Sequence, residues 1–135
     1  MTPTGQLIAL DRIVSVEPGN RATALRNVPH TLAIFDSHFP NRPVLPGVLV
    51  LGSMAELAGV LLEEQTGRTW RLAGAERVRY RHFIQPGDQM EITVDMKELV
   101  ERHALFQATV KVDGRIVTSA RVLRMVPVAQ DAGPS

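Results

Sequence analysis

Apolar positions along this chain follow two spacings. From Val48 to Gln65, the residues Val48, Leu49, Val50, Leu51, Met54, Leu57, Val60, Leu61 and Leu62 cover nearly the whole circumference of a helix. A helix that is apolar all round has to be enclosed, so a sheet curled about it is expected. Glu63 and Glu64 mark its emergence into solvent, and Thr66-Gly67 is a C-terminal stop. Elsewhere the pattern suits strands. Leu7 to Val16 reads as a strand, Glu17-Pro18-Gly19-Asn20 as a turn, and Arg21 to Val28 as the second strand of a hairpin. In that second strand Ala22, Ala24 and Arg26 share one side. Arg77 to Ile84 alternates, with Arg77, Arg79, Arg81 and Phe83 on one side and Val78, Tyr80, His82 and Ile84 on the other. Gln85-Pro86-Gly87-Asp88 turns the chain into Met90 to Leu99, Ala104 to Val112 follows, and a two-residue turn at Asp113-Gly114 leads into Ile116 to Val126. The expectation is a single α+β domain over 1–135 with its core at about 7–126: an antiparallel sheet wrapped on one long central helix.

Composition narrows the function. With 135 residues, 44% of them hydrophobic and 21% charged, the chain suits an ordinary soluble domain with one core. A net charge of +1 argues against nucleic acid as a partner. The absence of cysteine excludes disulfides, thiol nucleophiles and thiolate-bound metals. No charged-then-apolar leader opens the sequence and no run reaches the length of a membrane span, so the cytoplasm is the expected compartment, with no membrane partner. His30 and His103 lack ligand spacing, and neither a metal nor a cofactor is expected. Trp70, the sole tryptophan, suits packing or a loop anchor. His82 falls on the apolar side of its strand, which suits a core or interface histidine.

The stretch from Phe35 to Gly59, FDSHFPNRPVLPGVLVLGSMAELAG, carries the candidate chemistry. Pro40, Pro43 and Pro46 stiffen an extended loop that presents His38 beside Phe39. Pro46-Gly47 ends the loop where the helix begins, and a helix start offers unpaired N–H donors to an anion or a polarised carbonyl. An imidazole next to such donors points to acid–base chemistry on a carbonyl compound.

The string HFPNRPVLPGVL, from His38 to Leu49, resembles the β-hydroxyacyl-acyl-carrier-protein dehydratases of the hotdog fold, the FabZ/FabA type. Three further segments resemble the same family in the same order: LIALDRIVSVEPGNRATALRNV from Leu7, ERVRYRHFIQPGDQMEI from Glu76, and KVDGRIVTSARVL from Lys111. The resemblance implies a sheet around one helix and a homodimer whose sheets join edge to edge, with two sites at the interface. It implies His38 as the base that takes a proton from C2 of a 3-hydroxyacyl thioester, and the Gly47 backbone N–H as donor to the enolate-like oxygen. The implied partner is acyl carrier protein with a phosphopantetheine-linked acyl chain, in fatty acid or polyketide biosynthesis.

One departure matters. The family's acid is a Glu or Asp five residues after that glycine, contributed by the other subunit, and here the position is Gly52. The next carboxylate is Glu56, one helical turn on. Four consequences are open: Glu56 has taken over as acid; His38 performs both proton transfers; a partner subunit in a hetero-oligomer supplies the acid; or the chain does not dehydrate. The first is preferred. An acyl thioesterase using Glu56 is a further alternative. Glu56 also admits a bland reading, as a carboxylate satisfied by Ser53 or a backbone group, or exposed at a dimer interface. Phe39, Met54 and Leu57 suit either an acyl tunnel or plain core packing. Arg42, Arg77, Arg79 and Arg81 suit either a solvated face or a docking patch for the acidic carrier protein. A homodimer, a heterodimer with another hotdog subunit, and a hexamer all fit.

Overall fold

The structure, a computed structural model, describes residues 10–29 and 45–129. Six strands and one helix follow one another as β1 (Arg12–Glu17), β2 (Arg21–Asn27), α1 (Gly47–Thr66), β3 (Trp70–Tyr80), β4 (Gln89–Leu99), β5 (Ala104–Val112) and β6 (Arg115–Pro127). The strands form one antiparallel sheet in the order β1-β2-β4-β5-β6-β3. The helix lies across it and touches every strand from β2 to β6.

Local sequence accounts for most of this. In β2 the inward positions Ala22, Ala24 and Arg26 alternate with outward ones, and the two alanines leave room for the helix above them. Met90, Ile92 and Val94 do the same in β4, and Ala104, Phe106, Ala108 and Val110 in β5. Asp113 and Gly114 have φ of +53° and +80°, the mirror-image turn that matches the twist of paired strands. Gly67 ends α1 at φ +72°, where its N–H donates to the Glu63 carbonyl at 2.7 Å. Breaks of register at Ile13/Ser15, Leu72/Gly74 and Met96/Glu98 let the sheet bend over the helix. Trp70 is buried at the start of β3, its indole N–H donating to Thr66 Oγ1 at 3.0 Å while Arg68 lies 5.5 Å above the ring.

The expected fold is present, an antiparallel sheet curled over one long helix: Met54, Leu57, Ala58, Leu61 and Leu62 are buried against it, whereas Val48 is 72% exposed and Glu56 is exposed too. One side of the helix stays open. The strand expected over 77–84 instead starts at Trp70 and stops at Tyr80, and Arg77 within it adopts φ +54°. His82 is therefore exposed, not on an apolar face, and Phe83 is 65% exposed.

Candidate active site

The first turn of α1 is the fixed point of the site. Pro46 precedes the helix with φ −59° and ψ 141°, and no side chain caps it. The Leu49 and Val50 N–H groups donate back to the Pro46 carbonyl at 3.0 and 3.4 Å. The Gly47 and Val48 amides stand ahead of that first bond, where a helix has no internal acceptors. The Leu45 N–H donates to the Ile84 carbonyl at 2.6 Å, which ties the helix start to the segment following β3.

That tie brings Tyr80 to Gly47. A Cβ built on Gly47 would stand 2.6 Å from Tyr80 Cζ and 2.8 Å from both Cε1 and Oη. Only glycine fits beneath the ring. The phenol is raised above its ordinary pKa by partial burial, so it is a proton donor throughout the neutral range.

Glu56 lies on the open side of α1, above a groove of about 540 Å³ lined also by Ala55, Gly59, Val60, Glu63 and Trp70. The residue as a whole is exposed, while its carboxyl lies near the Leu10 backbone and the Arg26 guanidinium. Burial of that end raises the carboxyl above the ordinary range. The Arg26 guanidinium and a hydrogen bond from the Leu10 backbone pull it down more weakly. Arg26 is 8% exposed, and it donates to Asp11 Oδ1 at 3.3 Å and to the Asn27 carbonyl. Asp11 also accepts the Asn27 backbone N–H at 2.6 Å. A buried cation thus stands on the strand that faces Glu56. The sequence carried the signal, an arginine in register with two inward alanines, although it did not single Arg26 out as functional.

His38, Phe39 and Arg42 lie outside the described residues. Met54 and Leu57 are wholly buried in the core. Gly52 lies one turn before Glu56, half-buried at the edge of the open side. Arg77, Arg79 and Arg81 are exposed and share a groove of about 590 Å³ with Gln107, Ser119 and Arg121. Arg121 comes from β6, and strand pairing alone brings it to the other three. Among the described residues, then, the structure gathers Gly47 with Tyr80, Glu56 with Arg26, and the arginines with one another.

Known proteins resemble this chain along most of its length. The FabA-like domain matches residues 2–121. The 3-hydroxyacyl-[acyl-carrier-protein] dehydratase FabZ of Latilactobacillus sakei is 37% identical over 119 residues, covering 86% of this chain and 85% of its own. FabZ of Caldicellulosiruptor bescii is 36% identical over 119 residues, with the same coverage. Among solved structures, the dehydratase heterocomplex ApeI:P from Xenorhabdus doucetiae superposes with a TM-score of 0.73 at 16% identity, over 90% of this chain and 83% of that one. A hypothetical thioesterase with coenzyme A from Streptococcus pneumoniae reaches 0.66 at 12% identity, over 88% and 89%. A sheet bent over one helix, matched along nearly the whole sequence, shows that this chain belongs to the FabA-like family and has the hotdog fold.

Proposed function

We propose that the protein removes water from a 3-hydroxyacyl thioester carried on acyl carrier protein and releases the trans-2-enoyl thioester, in fatty acid or polyketide biosynthesis. The similarity to the FabZ dehydratases, 37% over 119 residues, carries this reading. His38 takes the C2 proton. The negative charge passes to the thioester oxygen, which accepts a hydrogen bond from the Gly47 N–H; the C3–O bond then breaks as Glu56 gives its proton to the departing hydroxyl. A carboxyl held above its ordinary range keeps that proton nearer to neutral pH, which suits an acid. The residue is exposed in the single chain, within reach of the site of a neighbouring subunit.

Among the described residues edge strand β3 has no pairing partner on its outer side, which makes it the natural seam between two subunits, alike or different. Phe39 would line the acyl path, whereas Met54 and Leu57, wholly buried against the sheet, take the core-packing role. The arginines at 42, 77, 79 and 81, with Arg121 beside them, would receive the acidic carrier protein and its phosphopantetheine. Gly52 favours a second reading, in which a complementary hotdog subunit supplies the acid and this chain the histidine. A dehydratase heterocomplex of the same fold is a precedent.

Incubation with a 3-hydroxyacyl carrier thioester separates the cases. Enoyl product from the protein alone supports the proposal. Product only after a second hotdog subunit is added supports pairing. Free thiol would replace dehydration with hydrolysis.

A further inference from the structure

Gly52 leaves open how the site stabilises the charge that the reaction creates, and the helix start itself suggests an answer. Tyr80 is the last residue of β3, and two backbone bonds fix the chain around it. The Arg81 N–H donates to the Val117 carbonyl at 2.8 Å, and the Leu45 N–H to the Ile84 carbonyl at 2.6 Å. Held between them, the ring lies so close to Gly47 that a methyl group there would overlap Cζ, Cε1 and Oη. The hydroxyl therefore stands within about 4.5 Å of the Gly47 Cα. Tyr80 as a whole is 52% exposed in the single chain.

A second observation comes from β6. Tyr80 is paired in register with Thr118, so both side chains rise from the same face of the sheet. Thr118 is 1% exposed, and its Oγ1 has no hydrogen-bond partner among the described residues. An orphaned buried hydroxyl is costly, by about 1–3 kcal/mol, and native proteins rarely keep one without use. Register places this hydroxyl on the sheet face that carries Tyr80.

We propose that Tyr80 is a catalytic residue: its phenol O–H joins the Gly47 N–H as a second donor to the thioester oxygen. An oxygen bonded to both would stand about 2.9 Å from the amide nitrogen and about 2.7 Å from the phenol oxygen, a span the observed spacing admits. The proton stays on Tyr80 throughout, so proton removal by His38 and departure of the hydroxyl at Glu56 are unchanged. Desolvation of the phenol favours the neutral form, the only one that can donate. This role rests on the dehydratase reading and adds to it.

Tyr80 is the sole tyrosine of the chain, which makes the test clean. Tyr80→Phe keeps the ring against Gly47 and removes only the donor. It is expected to lower kcat by about 10²-fold, the usual effect of deleting one such donor, with KM nearly unchanged. The carbonyl stretch of a ¹³C-labelled enoyl pantetheine thioester, bound to the full chain, should move to higher frequency in the variant. Biosynthetic 3-fluorotyrosine labels this residue alone, and its fluorine resonance should shift when the thioester binds the otherwise unaltered protein. An unchanged kcat with an unmoved carbonyl band overturns the role of Tyr80 and leaves the dehydratase reading intact. A fluorine signal indifferent to saturating thioester in an active enzyme does the same. Absence of any turnover or thioester binding by the wild-type protein overturns both.

Discussion

The two sides of α1 are built to different ends. On the closed side Met54, Leu57, Ala58, Leu61 and Leu62 have no more than 1% exposure, and the sheet supplies their neighbours. On the open side Val48, Gly52, Glu56, Val60 and Glu63 succeed one another at helical spacing, and none of them is buried. The first set follows the rule for a core, large aliphatics packed to crystal density. The second breaks it, with a glycine in mid-helix that costs roughly 1 kcal/mol relative to alanine and a carboxyl held above its ordinary range. A helix that spends stability on one side only has a task on that side. In the proposed mechanism that task is to present an acid, and a surface, to a neighbouring subunit.

Substitutions can break this contrast or sharpen it. The largest effect is expected from Glu56→Gln, which should cut steady-state dehydration by about 10²–10⁴-fold and leave the denaturant midpoint close to wild type. Leu57→Ala, on the opposite side at nearly the same height, should do the reverse. It should lose about 2–5 kcal/mol in urea unfolding, since it leaves a cavity in a closed core. Gly47→Ala should cost about 1–3 kcal/mol by driving the Tyr80 ring off the helix start. Val48→Ala should stay within about 0.5 kcal/mol in the single chain, because the side chain is mostly in solvent. A larger loss that grows with protein concentration would show that a subunit covers it.

The smallest effect is one of pH. Burial raises the Glu56 carboxyl, so the folded protein holds that proton more tightly than the unfolded chain does. Its contribution to stability is present below the ordinary carboxylate range and is lost as pH rises through the raised value. Glu56→Gln should flatten that part of a chemical-denaturation profile measured against pH.

Much of this was legible in the sequence, for identifiable reasons. The helix, β4, β5 and the Asp113-Gly114 hairpin follow from spacing and turn residues that act locally. The early half of β3 was not legible, because Ala73, Gly74 and Ala75 dilute the alternation. The open side of α1 was missed because apolar residues all round a helix look alike whether a chain's own sheet or a second subunit covers them. Of the candidate site, Gly47 could be proposed from its motif and Glu56 as the next carboxylate after Gly52. Tyr80 and Arg26 could not, since their partners are 33 and 30 positions away in sequence and only the fold brings them near.

The central claim is that a helix-start amide and the histidine just before it work on one acyl thioester. The most direct measurement is turnover of a 3-hydroxyacyl carrier thioester by the wild-type chain and by His38→Ala, with circular dichroism confirming that both are folded. The account predicts enoyl product from the wild type and a loss of about 10²-fold or more in the variant. Equal turnover by the two folded proteins would contradict it.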